Sequence, residues 1–518
     1  MMRSLFSGVS GLKNHQTRMD VIGNNISNVN TTGFKSSRVN FEDSLSQTLT
    51  AASAASDTTG GTNPKQIGLG SKISAIDVNF KDGSVQSTGI NTDLCLSGNA
   101  LFVVKQGNQT FYTRNGAFSF DAEGNLVNAE GLYVQGYMNA SETEHNSINT
   151  NGATSSIQIR AGKTMPSSET KKVNYVNNLN ATAPTITGIT ATDSNGNPVT
   201  VDLTKPVVVN GTDIMAAVLT MSDGTTQTVT SGTYNFGNSI PLSTTIKVYD
   251  SLGTAHIVPV TLEKSGKNEW TANSAVPTVT KVTYMDGTDE KEVTSYPVDV
   301  STLNSPKVYF SNGKSYDVAK GTFNKDDALI KEDDGTFTNV VLNASDPIVF
   351  KETGAFKSGS ASLTVAPSNG ASSNTIAVSF NNLTQYANSS TVNAEADGYA
   401  SGTLDTVTID ESGTVVGTYT NGVLRKEAQI AVAQFTNAPG LTKKGNSLYV
   451  ESNNSGTPNI GTAAGFGATI TASALEMSNV DVAEEFSNMI ITQRGFQSNS
   501  KIITVSDEML ENLINMKR

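Results

Sequence analysis

Apolar residues recur every seven positions at the two ends of the chain and alternate with polar ones through most of what lies between. Near the C-terminal end Val482, Met489, Phe496, Ile503 and Leu510 are spaced by sevens. Phe486, Ile490, Leu513 and Ile514 widen that row, while Glu484, Glu485, Arg494, Lys501, Asp507 and Glu511 fall off it, as an amphipathic helix requires. No proline interrupts the stretch. At about 1.5 Å per residue it forms a rod of roughly 50 Å, too long for a small domain to cover, so its stripe calls for a partner helix. The N-terminal end offers one: Leu5, Leu12, Met19 and Ile26 are also spaced by sevens, with Val9, Ile22 and Val29 between them. The spacing predicts that the two ends pair as a coiled coil through these stripes; the plainer alternative is two helices docked separately on a β core.

The first helix is expected to end within residues 28–33, where Asn30 and Gly33 tolerate positive φ and Thr31 and Thr32 disfavour helix. Residues 48–64 shift to Ala, Ser, Thr and Gly, the composition of a linker. Strand-like alternation begins near Ile67 and is clear from Leu94, with Asn115-Gly116 and Gly124-Asn125 as turn signals. In the middle of the chain Asn210-Gly211, Asp223-Gly224, Asp286-Gly287, Asn312-Gly313 and Asp334-Gly335 separate short Thr- and Val-rich runs, again at hairpin sites. The fold class expected is mainly β, nested and multidomain, with helices at both termini. Residues 1–30 with 475–518 make the helical part, 31–66 with 453–474 the connectors, and 67–138 with 383–452 an inner β domain. Residues 139–382 make two or more outer β domains, divided near 266–273 or 351–360.

A chain of 518 residues exceeds what one core holds, in keeping with that division. Charged residues are only 16%, so Ser, Thr, Asn and Gln supply much of the surface, and copies of such a surface repel one another little. The net charge of -12 leaves no basic patch for nucleic acid or an anionic membrane. No apolar run reaches the ~18 residues of a membrane span. Behind Arg3 there is neither an apolar block nor a small-residue cleavage site, so no cleavable signal peptide is expected. The single cysteine, Cys95, excludes an internal disulfide and reads as a small buried residue.

Catalytic, cofactor and metal sites are not expected. His15, His145 and His256 are scattered, and one cysteine adds too few ligands for a zinc site. Gly68-Leu69-Gly70-Ser71-Lys72-Ile73 lacks the last glycine of a dinucleotide loop, and no phosphate loop or nucleophile elbow is present. The carboxylates Asp326, Asp327, Glu332, Asp333 and Asp334 lack regular ligand spacing and read as a solvated turn rather than a calcium site or an acid/base pair.

Several stretches resemble a known family. Ser7-Gly8-Val9-Ser10-Gly11-Leu12, followed by Gly23-Asn24-Asn25-Ile26-Ser27-Asn28-Val29-Asn30-Thr31-Thr32-Gly33-Phe34-Lys35, is similar to the N-terminal signature of the bacterial flagellar axial proteins of rod and hook. The stretch from Asp93 to Val104, and Tyr112-Thr113-Arg114-Asn115-Gly116-Ala117-Phe118, resemble the same family, although Ala100-Leu101 stand where Gly-Phe is usual. Ala474-Leu475-Glu476-Met477-Ser478-Asn479-Val480-Asp481 resembles the shared ending. Val248-Tyr249-Asp250-Ser251-Leu252-Gly253-Thr254-Ala255-His256 and the stretch from Asp397 to Leu404 resemble outer-domain motifs of the hook members.

The resemblance implies a structural protein and no enzyme: copies stack into the short curved hook, a flexible tube and universal joint that passes torque from rod to filament. It implies Asn24, Asn25, Asn28, Thr32, Gly33 and Phe34 as family motif positions. Implied partners are further copies of the chain, a distal rod protein, a hook cap, a hook-filament junction protein and the flagellar type III export apparatus, with the product outside the cell. The hook-filament junction protein and a secreted β-rich adhesin are the alternatives; the hook-like β motifs count against the first, and the second leaves both terminal heptads idle. An enzyme such as a glycosidase is the weakest alternative.

Overall fold

The computed structural model describes residues 2–55, 57, 59–140, 147–209, 214–344 and 346–516. Asn210-Gly211 and His145 lie outside the described residues. The chain divides into two units, residues 1–164 with 403–518, and residues 165–402. The fold is mainly β, with one helix at each end, α1 (Met2–Ser27) and α2 (Val482–Met516). Among the described residues no helix is long and apolar enough to cross a membrane.

In the first unit, strands from both halves of the sequence weave one sheet. Tyr133–Met138 lies between Leu101–Gln106 and Leu424–Ile430, with Val134 opposite Val104 and Gly136 opposite Ile430. Strand Leu101–Gln106 reads as a continuous apolar run because both its faces are covered. Phe102 and Val104 pack with Leu94, Leu126, Val134, Ile157 and Ile430 on one face, and Leu101 and Val103 pack with Tyr112, Ala433 and Tyr449 on the other. Cys95 is buried, as its alternating strand predicts, and burial pushes its thiol up to about 11.

The connector expected over 31–66 holds strands. After α1 the chain forms β1 (Ser37–Asp43) and β2 (Ser46–Thr50), then returns through β3 (Lys65–Gly68) and β4 (Ser71–Val78), with β1 paired to β4 and β2 to β3. A low-charge Ser/Thr sequence forms this ribbon because the register is carried by backbone bonds and not by a buried face; β2 and β3 are exposed along their whole length. Likewise 453–474 holds short strands, among them Thr469–Ala472, which pairs with Leu94–Ser97.

The second unit is built on two sheets around a shared core. One has six strands, in the order Leu329–Lys331, Phe337–Ala344, Ser360–Ala366, Asn374–Tyr386, Lys172–Asn180 and Asn393–Ala396. The other has five: Leu242–Tyr249, Ala255–Gly266, Glu269–Ser274, Ile348–Phe350 and Phe356–Ser358. Tyr175, Phe380, Leu363 and Val340 of the first meet Val258, Leu262 and Trp270 of the second, with Tyr175 stacked on Phe380 at 5.3 Å. Two satellite cores gather Ile186, Val207, Leu219 and Tyr234, and Val279, Val308, Phe310 and Phe323.

Three expected boundaries are corrected here. Residues 266–273 and 351–360 are not domain junctions but hairpins inside one sheet, with Lys264 opposite Trp270 and Val349 opposite Ser358. Residues 383–402 belong to the second unit and not with the inner β domain, because Asn374–Tyr386 runs parallel to Lys172–Asn180, which also pairs with Asn393–Ala396. The glycines Gly124, Gly224, Gly287, Gly313, Gly335 and Gly413 take positive φ between paired strands, the turn geometry their dipeptides call for.

Candidate assembly surface

Helix α1 stops where the polar Asn-Thr run begins, and Gly33, at φ 64, turns the chain out of the helix. A Cβ there would sit 2.5 Å from the Asn115 amide nitrogen, so both the angle and the space require glycine. Helix α2 starts on a capping aspartate: Asp481 Oδ1 accepts from the amides of Ala483 at 2.8 Å and Glu484 at 3.2 Å. Glu484 and Glu485 in the first turn suit the positive end of the helix dipole.

The two helices pack antiparallel, and only part of each heptad stripe lies in the contact. Gly8 faces Ile503, Gly11 faces Asn499 and His15 faces Gly495. Arg18 donates to Asn488 Oδ1 at 3.1 Å and Asn25 donates to Glu485 Oε1 at 2.8 Å. Thr492 and Ser506 are buried on α2. The seam thus interleaves apolar residues such as Ile503 with small and polar ones, which let the two backbones approach closely; a Cβ on Gly495 would lie 2.6 Å from the His15 ring. Burial, with Arg18 adding to it, lowers the pKa of His15, whose Nδ1 has no hydrogen-bond partner.

The two ends lie together, with the stripes only partly covered. Of the residues expected to carry the pairing, only Ile22 is buried, at 4% exposure. Leu5, Leu12, Met19, Ile26, Met489, Ile503 and Leu510 are half-buried, and Val9, Val482, Phe486 and Phe496 are exposed. Ile490 at 58% and Ile491 at 61% are as open as Phe486 at 50%. Two apolar flanks result on α2, one through Val482, Phe486, Ile490, Phe496 and Ile514, the other through Ile491, Ile502, Val505, Met509 and Leu513. Sequence reasoning missed the second flank and the small and polar positions of the seam; the spacing of Thr492, Gly495, Asn499 and Ser506 by threes, fours and sevens was the available signal.

The family motif residues lie where α1 gives way to β1. Asn25 takes the Ser37 amide on Oδ1 at 2.9 Å and donates from Nδ2 to the Ser37 carbonyl at 2.9 Å, holding β1 to the helix end. Asn28 donates to the Asn24 carbonyl and accepts from Thr31, Thr32 donates to Asn115, and Lys443 lies over the Phe34 ring at 4.9 Å. The Asn24 side chain is exposed. On the C-terminal side Asn479 Oδ1 accepts the Ser36 amide at 2.8 Å, so the two terminal segments are tied to one another before either reaches the β body.

In the second unit, one expected solvated turn holds an unexpected bond. Glu332 Oε1 lies 2.7 Å from Nδ1 of the buried His256, whose Nε2 is 3.2 Å from Asp250 Oδ2, while Asp334 takes the Thr336 amide and hydroxyl within the turn. Among the described residues no group of three His, Cys, Asp or Glu side chains is placed to hold a metal ion.

Four stretches of the chain match known protein families. Residues 5–35 match the family described as flagella basal body rod protein, 95–162 the flagellar hook protein FlgE/F/G D1 domain, 230–399 the flagellar basal body protein FlaE D2 domain, and 471–516 the flagellar basal body rod FlgEFG protein C-terminal family. The chain is 38% identical to flagellar hook protein FlgE of Treponema pallidum and 35% identical to that of Borreliella burgdorferi, each over 100% of both chains. It is 29% identical to that of Escherichia coli K12 over 98% of each. Matched end to end at this level of identity, the chain belongs to the flagellar hook protein family.

Proposed function

We propose that this hook subunit assembles through the two apolar flanks of α2, each covered by a helix of a different neighbouring copy. The carrying observation is the seam: α1 covers the face of α2 that holds Thr492, Gly495, Asn499, Ile503 and Ser506 and leaves large side chains open on both sides. Apolar area removed from water contributes about 25 cal/mol per Å², so several aliphatic and aromatic residues on each flank form a strong and repeated drive to associate. The terminal helices and the β body of residues 1–164 and 403–518 then carry assembly, and residues 165–402 form a separate, weakly charged unit. The role is structural, without catalysis. The distal rod protein, the hook cap, the junction protein and the type III export apparatus are the partners this reading assigns.

The test is Ile490→Asp, which puts a charge on a flank without touching the seam. A folded protomer that no longer forms tubes in electron micrographs supports the proposal. Normal tubes from this variant, or from Ile491→Asp on the other flank, would falsify it.

A further inference from the structure

We propose that Glu476 is a positioning residue for assembly, whose buried carboxylate fixes the direction in which both terminal helices leave the β body. This rests on the reading that α2 carries assembly. Three segments far apart in sequence converge on that carboxylate. Oε1 accepts Lys35 Nζ at 2.6 Å and the Gly83 amide at 2.8 Å, and Oε2 accepts Arg114 Nη1 at 3.3 Å. Lys35 is reached two residues after the Gly33 turn that ends the α1 segment, and Glu476 lies six residues before α2 begins. Arg114 belongs to the β body, where it also donates to the carbonyls of Leu96, at 2.7 Å, and Gly98. The Glu476 backbone joins in, its carbonyl accepting the Gly33 amide at 2.8 Å.

Such a cluster is a costly way to stabilise a core, because three charges leave water. Lys35, Glu476 and Arg114 side chains are each about 1% exposed, and burial pulls the Lys35 ammonium below its ordinary lysine value. What the cluster adds over apolar packing is direction. An aliphatic contact tolerates rotation, whereas a carboxylate with three donors on two oxygens accepts one arrangement of the segments that bring them. In a helical polymer every subunit must present α2 at the same angle, so an error in this junction repeats in each copy.

The test pairs Glu476→Gln with Ile490→Asp in the full chain. Glu476→Gln keeps size and shape but removes the charge that holds Lys35 and Arg114. Three readouts separate local aim from general damage: labelling of the Cys95 thiol, which reports on the β body; Trp270 fluorescence, which reports on the second unit; and tube formation. Expected for Glu476→Gln is a Cys95 still protected, an unchanged Trp270 transition, and a critical concentration for assembly raised roughly tenfold or more. Assembly at the unmodified concentration by Glu476→Gln, with Ile490→Asp inactive, overturns the positioning role and leaves the flank reading intact. Assembly by both variants overturns both. Loss of assembly accompanied by an exposed Cys95 also overturns it, since Glu476 is then only a core residue of the β body.

Discussion

Asn25 Nδ2 and Glu485 Oε1, 460 positions apart in sequence, are 2.8 Å apart across the start of the helix pair. Burial raises the pKa of Glu485, outweighing the Asn25 hydrogen bond that acts in the opposite direction, and the neighbouring Glu484 adds to the rise. A carboxyl whose folded value lies above its unfolded one binds its proton more tightly in the fold. The ionised form therefore works against the fold at neutral pH, and the junction gains stability as pH falls through the raised value toward the ordinary carboxylate range. Glu485→Gln keeps an acceptor for Asn25 and leaves Glu484 for the helix dipole. Amide exchange at the start of α2 should be slower in this variant than in the parent at pH 7, and the difference should shrink below about pH 4; faster exchange at pH 7 would show that the charge is needed.

The seam predicts opposite signs for two glycine substitutions in similar helical settings. Gly495→Leu drives side-chain atoms into His15, and overpacking of this kind costs about 1 to 3 kcal/mol. A Cβ on Gly23 meets nothing within 4 Å in the protomer, so Gly23→Ala should stabilise α1 by about 0.5 to 1 kcal/mol through helix propensity. Helical circular dichroism during thermal unfolding reads both. A destabilising Gly23→Ala in the monomer contradicts the open space seen there.

These helices also show what a sequence can disclose about a surface that a second copy covers. Val482, Phe486 and Phe496 announce a helix and an apolar stripe by spacing alone, but spacing does not say which partner covers the stripe. Thr492, Gly495 and Asn499 look like a solvent face by residue type, yet they meet α1, because close helix approach selects small side chains rather than apolar ones. The hairpin turns at Asp223-Gly224 and Asp334-Gly335 were legible because positive φ is a local demand. The pairing of Lys172–Asn180 with Asn374–Tyr386 was not, since a parallel register between distant segments leaves no local trace, and the 383–402 assignment failed with it.

His256 joins three segments of the second unit, contacting Asp250, Glu332 and Thr338, with Asn369 bonded to the same Asp250 oxygen at 2.7 Å. His256→Ala removes the group both carboxylates face, taking the ring contact from Glu332 and leaving Asn369 as the side-chain donor to Asp250 Oδ2, at about 1 to 3 kcal/mol. Trp270, the only tryptophan, lies in the core of that unit and should report a lower unfolding midpoint by its fluorescence. Protection of Cys95 in the first unit should not change, and a parallel loss there would mean that the effect is not local.

The last prediction concerns bending. A joint requires neighbouring copies to slide, and sliding is easiest between polar, weakly charged surfaces where no single contact fixes a register; tightly packed apolar contacts resist it, each register sitting in its own minimum. The strands of residues 165–402 are rich in Ser, Thr and Asn, which suits them to the sliding role. The structure also makes their removal practicable, because the Leu404 amide donates to the Lys163 carbonyl at 2.8 Å, so the two ends left by a deletion are already neighbours and a short turn can join them. The seam, the junction at Glu476 and both α2 flanks lie wholly in the part that remains. A chain lacking 165–402 should therefore still form tubes, with curvature changed or lost, as measured by electron microscopy once export and stability of the variant are established. Unchanged curvature would remove this unit from the bending mechanism, and failure of a stable, exported variant to polymerise would show that it carries assembly as well.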